Sequence, residues 1–516
     1  MAFVRKTKIG NHTYLYLVTN KWVNGKVKQK SLGYLGREDA LPKLLESCLS
    51  LKKINNANLE NLLYQTPATC WNLIEQMELR SIFGKYFSKK WGVDAATAAC
   101  VMILNYATDK HTKNTMTDWY AQTWLPHLIG VPAKKMNKDL LCRTMDFFTE
   151  EKIEAIHAEI YKTAKEKFNL SDNLLLFDVT AITFEGDQCP LAKRGYNPNH
   201  AYAPQINLAM PVTAELFPAS HKVFEGNTKD SKTLEKSVEL VEKAGVLQKT
   251  VFVFDRGICS QNNFEVIESR GAQFICGFTK NARVKSRIAA LAPQDFTRID
   301  DDISFHEASD DGRRLIFFHS KKLGEDQRVF REERLEKVSG KLAKLAKTST
   351  RYDRFRLHEK IGALCGSYRK FFDVKTAPSF SFSVKQNVLG KTIAVEGKYA
   401  ILTNTSLAPG DVLARYRDRN FIEMSFKDLK MFVDIRPVRH WKENRVLAHI
   451  FLAVLAFGVR SLAQLKLRRS GLEITAEEAI TQLDKVRALV VDGKLLRLTG
   501  ETEETKKIVA AIAKVP

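Results

Sequence analysis

Three carboxylates in three separate sequence contexts are the residues of this chain best suited to metal-dependent chemistry. Asp178 ends the apolar run 174–177, and Asp255 ends the run 250–254, so each is predicted to lie at the end of a short buried strand. The carboxyl ends of strands in an open α/β sheet are the usual position of an active site. Glu423 lies instead in a predicted helix. We expect the three carboxyl groups to meet at one metal site.

The predicted helix around Glu423 presents further functional groups. At about 100° per residue, an aromatic, two cations and the acid fall within an arc of roughly 60°, beside an apolar sector that would anchor the helix. These residues are Tyr416, Arg419, Glu423 and Lys430. Each acid also has a simpler explanation, because an Asp after a strand is often a turn former or helix cap. Glu423 could likewise be a surface ion-pair partner of Arg419 and Lys427, one turn away.

This combination suits phosphodiester chemistry. Two Mg²⁺ ions about 4 Å apart activate a nucleophile and neutralise charge on the leaving oxygen. Mg²⁺ takes oxygen ligands and only a few carboxylates. Asp178 would then bridge both ions, while Asp255 and Glu423 would each complete one.

Charge and composition restrict the partners. The formal net charge of +22 favours a polyanion, either nucleic acid or an anionic membrane. The apolar stretch 446–459 is too short to span a bilayer, so a buried helix is predicted there. The start of the chain lacks the apolar core of a secretory signal, and the eight cysteines show no metal-ligand spacing. These features predict a reduced, cytoplasmic protein that binds nucleic acid and no membrane.

Two regions are predicted before the first acid. Region 1–58 opens with a basic β-hairpin, whose strands 14–22 and 26–34 meet at Asn24-Gly25, a favoured hairpin turn pair. The hairpin is either a DNA contact or a solvated cap. Region 59–170 is predicted to be helical and is a candidate for binding DNA.

The acids are predicted to lie in an α/β, RNase H-like core with a mixed sheet. Residues 171–280 read as three strands, a helix, a strand, a helix and a strand, with both aspartates on neighbouring central strands. Residues 281–408 interrupt this core as a mainly β insertion, 409–470 complete it, and 471–516 form a helical region. The strands predicted in the insertion are 314–319, 380–384, 392–395 and 399–402.

Two further helices are candidate DNA contacts, each with an alternative. Residues 137–146 follow a helix and a turn and open at an Asn N-cap, as a recognition helix would. They also fit an ordinary helix of a bundle. Residues 328–347 form a basic helix whose charges would either meet DNA or remain solvated.

The functional face of the helix resembles the YREK signature of cut-and-paste DDE transposases encoded by bacterial insertion sequences. The signature is Tyr, two residues, Arg, three residues, Glu, six residues, Lys, and its positions are matched by Tyr416, Arg419, Glu423 and Lys430. Other segments look like blocks of that family, and they are 176–180, 226–230, 254–257 with Ser260 and Asn263, and 436–440. The resemblance covers about residues 171–465.

The resemblance implies an RNase H-like core with a β domain inserted before the Glu, Mg²⁺ or Mn²⁺ as cofactor, and excision of a mobile element. A water cuts one strand, the freed 3′-OH attacks the other strand to form a hairpin, and the opened 3′ ends attack target DNA. Arg419 and Lys430 would hold phosphates, and Tyr416 would contact DNA at the element end. The partners would be double-stranded terminal inverted repeats and target DNA, bound by a dimer.

Two other functions share parts of this pattern. Another metal-dependent nuclease of the same fold, such as a junction resolvase, would need the acids, but the large insertion and the YREK helix argue against it. A catalytically silent, DNA-binding descendant would need no acids, and the complete acidic triad argues against that.

Overall fold

The computed structural model describes residues 2–9, 12–23, 26–40, 59–87, 92–186, 188–196, 202–245, 247, 250–278, 281–377, 379–431, 438 and 440–513. Within these residues, the chain forms a small amino-terminal sheet, a helical region and a large mixed sheet.

The amino-terminal sheet is antiparallel and three-stranded. Its strands are β1 (Ala2–Ile9), β2 (His12–Val23) and β3 (Lys26–Arg37), with β2 in the middle. Strands β2 and β3 pair antiparallel as the hairpin prediction requires, and the predicted Asn24-Gly25 turn lies outside the described residues. The rings of Tyr16 and Tyr34, which face each other across the two strands, are 5.2 Å apart. Aromatic cross-strand pairs of this kind stabilise the register.

The next region begins with a strand, β4 (Leu59–Leu63), where a helix was predicted. The helices that follow are α1 (Gln65–Gln76), α2 (Leu79–Tyr86), α3 (Ala95–Thr108), α4 (Met116–Ala121), α5 (Leu125–Ile129), α6 (Lys138–Met145) and α7 (Glu150–Phe168). The Asn137 cap is confirmed, since its side chain accepts from the Leu140 backbone N–H at 3.0 Å. One face of α6 packs Leu141 and Met145 into the core, as a bundle helix does.

The first part of the large sheet follows the predicted order of elements, with one strand, β6, that was not predicted. The elements are β5 (Leu174–Thr183), β6 (Lys193–Tyr196), β7 (Tyr202–Thr213), β8 (Lys222–Glu225), α8 (Leu234–Lys243), β9 (Val251–Phe254), α9 (Gln261–Ser269) and β10 (Gln273–Phe278). Strand β7 pairs on one side with β5 and on the other with both β6 and β8, and the order continues from β5 through β9 to β10. Strand β7 is antiparallel to β5, and β9 and β10 are parallel to it. This mixed sheet is consistent with the RNase H-like core that the sequence predicts.

The insertion continues the same sheet. Its elements are α10 (Ala282–Ala290), β11 (Thr297–Arg298), β12 (Ile303–Asp310), β13 (Arg313–Ser320), α11 (Lys321–Ala346), α12 (Arg354–Cys365), β14 (Phe372–Lys375), β15 (Ser381–Val384), α13 (Gln386–Ile393) and β16 (Lys398–Thr403). Because β16 pairs with both β10 and β13, the sheet reaches ten strands in the described part of the chain.

The prediction of a mainly β insertion is wrong, because its helices hold more residues than its strands. Residues 392–395, predicted as a strand, form the end of α13 and the turn after it. Short apolar segments do not distinguish helix from strand by periodicity, and contacts decide between them. Here Val388 of α13 packs against a separate small core that includes Leu342 and Phe372.

The last elements complete the core and then return to its beginning. They are α14 (Pro409–Met431), α15 (Glu443–Arg469), α16 (Ala476–Leu483), β17 (Arg487–Val491), β18 (Lys494–Thr499) and α17 (Glu503–Ala513). Strand β17 pairs antiparallel with both β18 and β4. The region 471–516, predicted to be helical, therefore also holds two strands. The strand β4, which pairs with β17, lies more than 400 residues earlier, beyond the range of local patterns.

Helix α15 is the shared core of the helical region and the catalytic sheet. Its 27 residues are long and apolar enough to cross a membrane, but 89% of its apolar window is buried inside the protein. The predicted buried helix is confirmed, although the argument from length was wrong because the helix extends beyond 446–459. At Gly458 an added Cβ would lie 3.1 Å from Phe217, so this glycine allows close approach to the catalytic sheet.

Candidate active site

Asp178 and Asp255 each follow one residue of a matched pair on two neighbouring parallel strands. In the register of β5 and β9, Phe177 is opposite Phe254, and each is followed by its aspartate. The predicted strand-borne pair is confirmed, with one correction. Strand β5 does not end at Asp178 but continues to Thr183, because these residues still pair with β7.

Asp255 begins a tight turn, and its carboxylate has two partners. Its Oδ1 accepts from the Arg256 backbone N–H at 2.7 Å, and the Ile258 N–H donates to the Asp255 carbonyl at 3.1 Å. The same Oδ1 lies 2.6 Å from Nη1 of Arg419. Asp255 is therefore both the turn former of the simpler explanation and a member of the charged site.

Glu423 is connected to this pair through Arg419. Buried Ile422 and Phe426 fix one side of α14 in the core. One turn apart on the helix, Nη2 of Arg419 and Oε1 of Glu423 are 3.2 Å apart. The Arg419 side chain is only 17% exposed, and its Nε is buried without a hydrogen-bond partner in the described structure. One guanidinium thus bridges the acid of the helix and an acid of the sheet.

Asp178 experiences the charge of the whole group. Burial raises the pKa of its carboxyl to about 7. The Val179 backbone N–H and the positive charge of Arg419 lower this pKa, whereas the negative charges of Asp255 and Glu423 raise it. Like charges that perturb one another lie near one another. Asp178 therefore lies close enough to Arg419, Asp255 and Glu423 for their charges to act on it.

The site has the chemistry of a divalent-metal site without its final geometry. Its donors are carboxylate oxygens, which Mg²⁺ and Mn²⁺ prefer, and a partly buried group of acids needs a cation. Among the described residues, no three His, Cys, Asp or Glu side chains are placed to hold a metal ion. The guanidinium of Arg419 neutralises Asp255 and Glu423 instead. Carboxylate oxygens are the donor type that a divalent metal takes, but the expected convergence of the three acids on one ion is not found among the described residues.

Tyr416 lies beside Arg419 and is packed against the sheet. The Arg419 guanidinium carbon is 5.2 Å from its ring centroid, and its hydroxyl reaches into a notch at Gly277 of β10, where an added Cβ would be 2.2 Å from Oη. Burial raises the pKa of this phenol to about 12. Tyr416 therefore lies between Arg419 and strand β10 and supports the position of Arg419. Sequence reasoning missed this role. An isolated glycine inside a strand, which often marks a close approach, was the available signal.

Two other predicted features are described only in part. Lys430 lies on α14, but its side chain is outside the described residues. Of the block 436–440, the structure describes Val438 and His440. Val438 forms a parallel bridge with Phe184, just beyond β5, so the chain after α14 returns to the catalytic strand.

Comparisons with known proteins identify the family of the chain. The family model described as "Transposase DDE domain" matches residues 169–458, which is more than half of the chain and a range that contains the three acids. A cryo-EM structure titled as a piggyBac transposase synaptic complex with hairpin DNA is similar at 10% identity and a TM-score of 0.42, with 84% of this chain and 82% of that chain covered. No curated protein matches the sequence. On the family match, the chain belongs to the DDE transposase domain family.

Proposed function

We propose that this DNA transposase is the cut-and-paste enzyme of a bacterial insertion sequence with a YREK helix, acting in the cytoplasm. It would bind the terminal inverted repeats of its element, cleave the DNA strands there and transfer the 3′ ends to target DNA. The observation that carries this proposal is the bridge made by Arg419 between Asp255 of the sheet and Glu423 of the helix, beside Asp178.

Asp178, Asp255 and Glu423 would hold Mg²⁺, or Mn²⁺ in its place. The bound metal would supply an activated nucleophile and neutralise charge on the leaving oxygen. The carboxylates themselves orient the reacting phosphate by fixing where that positive charge lies. Asp178 has to lose its proton before it can act as a ligand, since its pKa is about 7.

Arg419 would change partners during the reaction. It pairs with two carboxylates here, and with DNA bound its planar guanidinium suits a phosphate near the cut. Tyr416 would hold Arg419 in reach of the DNA and present its exposed edge to the element end. Lys430, two turns beyond Glu423 on the same helix, would contact a more distant phosphate.

The partner would be double-stranded DNA, bound by a dimer of the chain. The net charge of +22 supports a polyanionic partner. The basic sheet β1–β3 is a candidate surface for the repeats. The exposed side of α6 is another.

The test is a strand-nicking and strand-transfer assay on defined element ends, with end binding measured on the same purified proteins. Glu423→Gln and Asp255→Asn should abolish nicking and leave binding largely intact, because each keeps its volume and loses a ligand charge. Asp411→Asn, which removes an exposed acid from the first turn of α14, is the matched control and should nick normally.

Three results separate the candidates. Nicking and transfer by the wild-type chain support the transposase, nicking without transfer indicates another nuclease, and binding without either indicates a silent descendant. Wild-type nicking by Glu423→Gln would instead remove Glu423 from the site. The helix-surface explanation predicts that outcome, with a stability change below about 0.5 kcal/mol.

A further inference from the structure

Asn263 connects two loops beside the active site. It lies in the first turn of α9, and its side chain is 1% exposed. Its amide Nδ2 donates to the Ile258 carbonyl at 2.6 Å and to the Ser231 carbonyl at 2.9 Å. Both donors of one buried amide are therefore used by carbonyls of two different segments.

The first segment is the turn that carries Asp255. The Ile258 N–H donates to the Asp255 carbonyl, and the Asp255 carboxylate accepts from Arg256 within the same turn. A shift of Ile258 therefore moves the backbone from which the Asp255 carboxylate projects. On its other side the turn is held by Cys259, whose thiol donates to the Gly277 carbonyl of β10 at 3.2 Å.

The second segment is the loop 226–233 between β8 and α8. The Oδ2 of Asp230 lies against the Asp255 turn, 3.9 Å from the position of a Cβ on Gly257. The loop is also attached to the sheet through Asn207, whose Nδ2 donates to the Thr228 carbonyl at 2.9 Å. Asn263 thus joins the Asp255 turn by hydrogen bonds to the loop 226–233, which is itself hydrogen-bonded to the sheet through Asn207.

The side chain of Asn263 is not needed to begin its helix. Ser260 already caps α9, accepting from the Asn263 backbone N–H at 3.2 Å. The amide is left to hold the turn and the loop.

We propose that Asn263 is a positioning residue for metal binding, which aims the Asp255 carboxylate by holding Ile258 against the loop at Ser231. This proposal depends on the proposed function, because it assigns Asp255 as a metal ligand. Partners that orient ligands set metal affinity, and losing one typically weakens affinity or activity by roughly 10- to 100-fold.

The experiment compares Asn263→Ala with Asn207→Ala in the full chain. Both variants remove a buried amide, 1% and 6% exposed, that donates to the loop 226–233. Only the Asn263 amide also reaches the Asp255 turn. Asn263→Ser, which keeps one donor, serves if the alanine variant does not fold. The readouts are Mn²⁺ binding without DNA, followed by electron paramagnetic resonance, the melting temperature without metal, and nicking at saturating DNA.

We expect both alanine variants to melt at lower temperature and only the Asn263 variants to bind Mn²⁺ more weakly, by roughly 10-fold or more. Their nicking should recover in part at high Mn²⁺. Mn²⁺ binding equal to wild type in the Asn263 variants, or an equal loss in Asn207→Ala, would overturn the proposal. If the wild-type chain binds Mn²⁺ but never nicks element ends, the proposed function fails while the positioning role stands.

Discussion

Arg419 shows how one side chain serves two states of a charged site. Without metal, a partly buried group of acids is unfavourable, and the guanidinium neutralises two of them at 2.6 and 3.2 Å. Asp178, which makes no direct ion pair with Arg419 among those described, responds instead with a raised pKa. Protonation of Asp178 and ion pairing of Asp255 and Glu423 with Arg419 thus reduce the negative charge that a bound metal would neutralise by itself.

The raised pKa of Asp178 predicts a pH-dependent demand for metal. The proton and the metal compete for this carboxylate, so the half-saturating Mg²⁺ concentration for nicking should fall by about tenfold per pH unit up to about pH 7 and then level off. In the metal-free protein, the stability of the fold changes with pH in the opposite direction and decreases as pH rises. A carboxyl whose folded pKa is raised contributes stability at low pH, and this is lost as pH rises from its ordinary pKa towards 7.

Metal titrations of nicking and of the melting temperature from about pH 5.5 to about pH 8.5 would measure both effects, with the change of about tenfold per unit expected only below about pH 7. The stabilisation by Mg²⁺ should grow with pH over this range. Asp178→Asn should remove the pH dependence of metal binding. A flat profile in the wild type would contradict this account of Asp178.

At the scale of elements, the site depends on how closely α14 lies against the sheet. Strands β5 and β9 place two acids by register, and the helix supplies the third acid and the cation. Gly277 sets the separation, because its missing side chain makes room for the Tyr416 hydroxyl. Gly277 of β10 contacts Tyr416, Tyr416 lies beside Arg419, and Arg419 pairs with the carboxylates of Asp255 and Glu423.

Gly277→Ala should therefore damage the site through Tyr416. The new Cβ would lie 2.2 Å from Oη, so the phenol and Arg419 must shift. We expect a loss of about 1–3 kcal/mol in the free energy of unfolding, as overpacking costs, together with reduced nicking. Tyr416→Phe removes the clashing oxygen, so the double variant should regain part of both. Urea denaturation and nicking measure this, and a double variant no better than Gly277→Ala would show that Tyr416 is not the obstacle.

At the scale of the whole molecule, a late strand of the chain pairs with an early one, and a basic sheet precedes that early strand. Strand β17 pairs with β4, and α15 is buried between the helical region and the catalytic sheet. The sheet β1–β3 precedes this closed part. In its register Lys21 is opposite Lys28, and Lys30 is opposite Thr19. The lysines of this hairpin are therefore the residues to test for DNA binding.

Neutralising Lys21, Lys26, Lys28 and Lys30 together should flatten the salt dependence of DNA binding. Each lost phosphate contact lowers the slope of log affinity against log salt by about 0.9, so four contacts give a change of up to roughly 3.6. The matched control neutralises four exposed lysines, namely Lys337, Lys341 and Lys344 of α11 and Lys347 at its C-cap. If the control flattens the slope instead, the insertion holds the DNA and the amino-terminal sheet is a cap.

The sequence by itself determined the acids and the elements that carry them. Apolar runs predicted β5 and β9, helical spacing predicted the shared face of α14, and the strand-helix order predicted the mixed sheet. These features depend on neighbours along the chain, which a sequence displays directly. The same local reading failed for 392–395, which lie at the end of α13, a helix whose Val388 packs against a separate small core, and in the turn after it.

Only the tertiary structure decided what depends on distant partners. The pairing of β4 with β17, the continuation of the sheet through β16, and the notch for Tyr416 at Gly277 all join residues far apart in the chain. The bridge from Arg419 to Asp255 is of the same kind, since helical spacing could reveal only its contact with Glu423. Charge and shape act through space, so the site's electrostatics appear only when the fold has brought sheet and helix together.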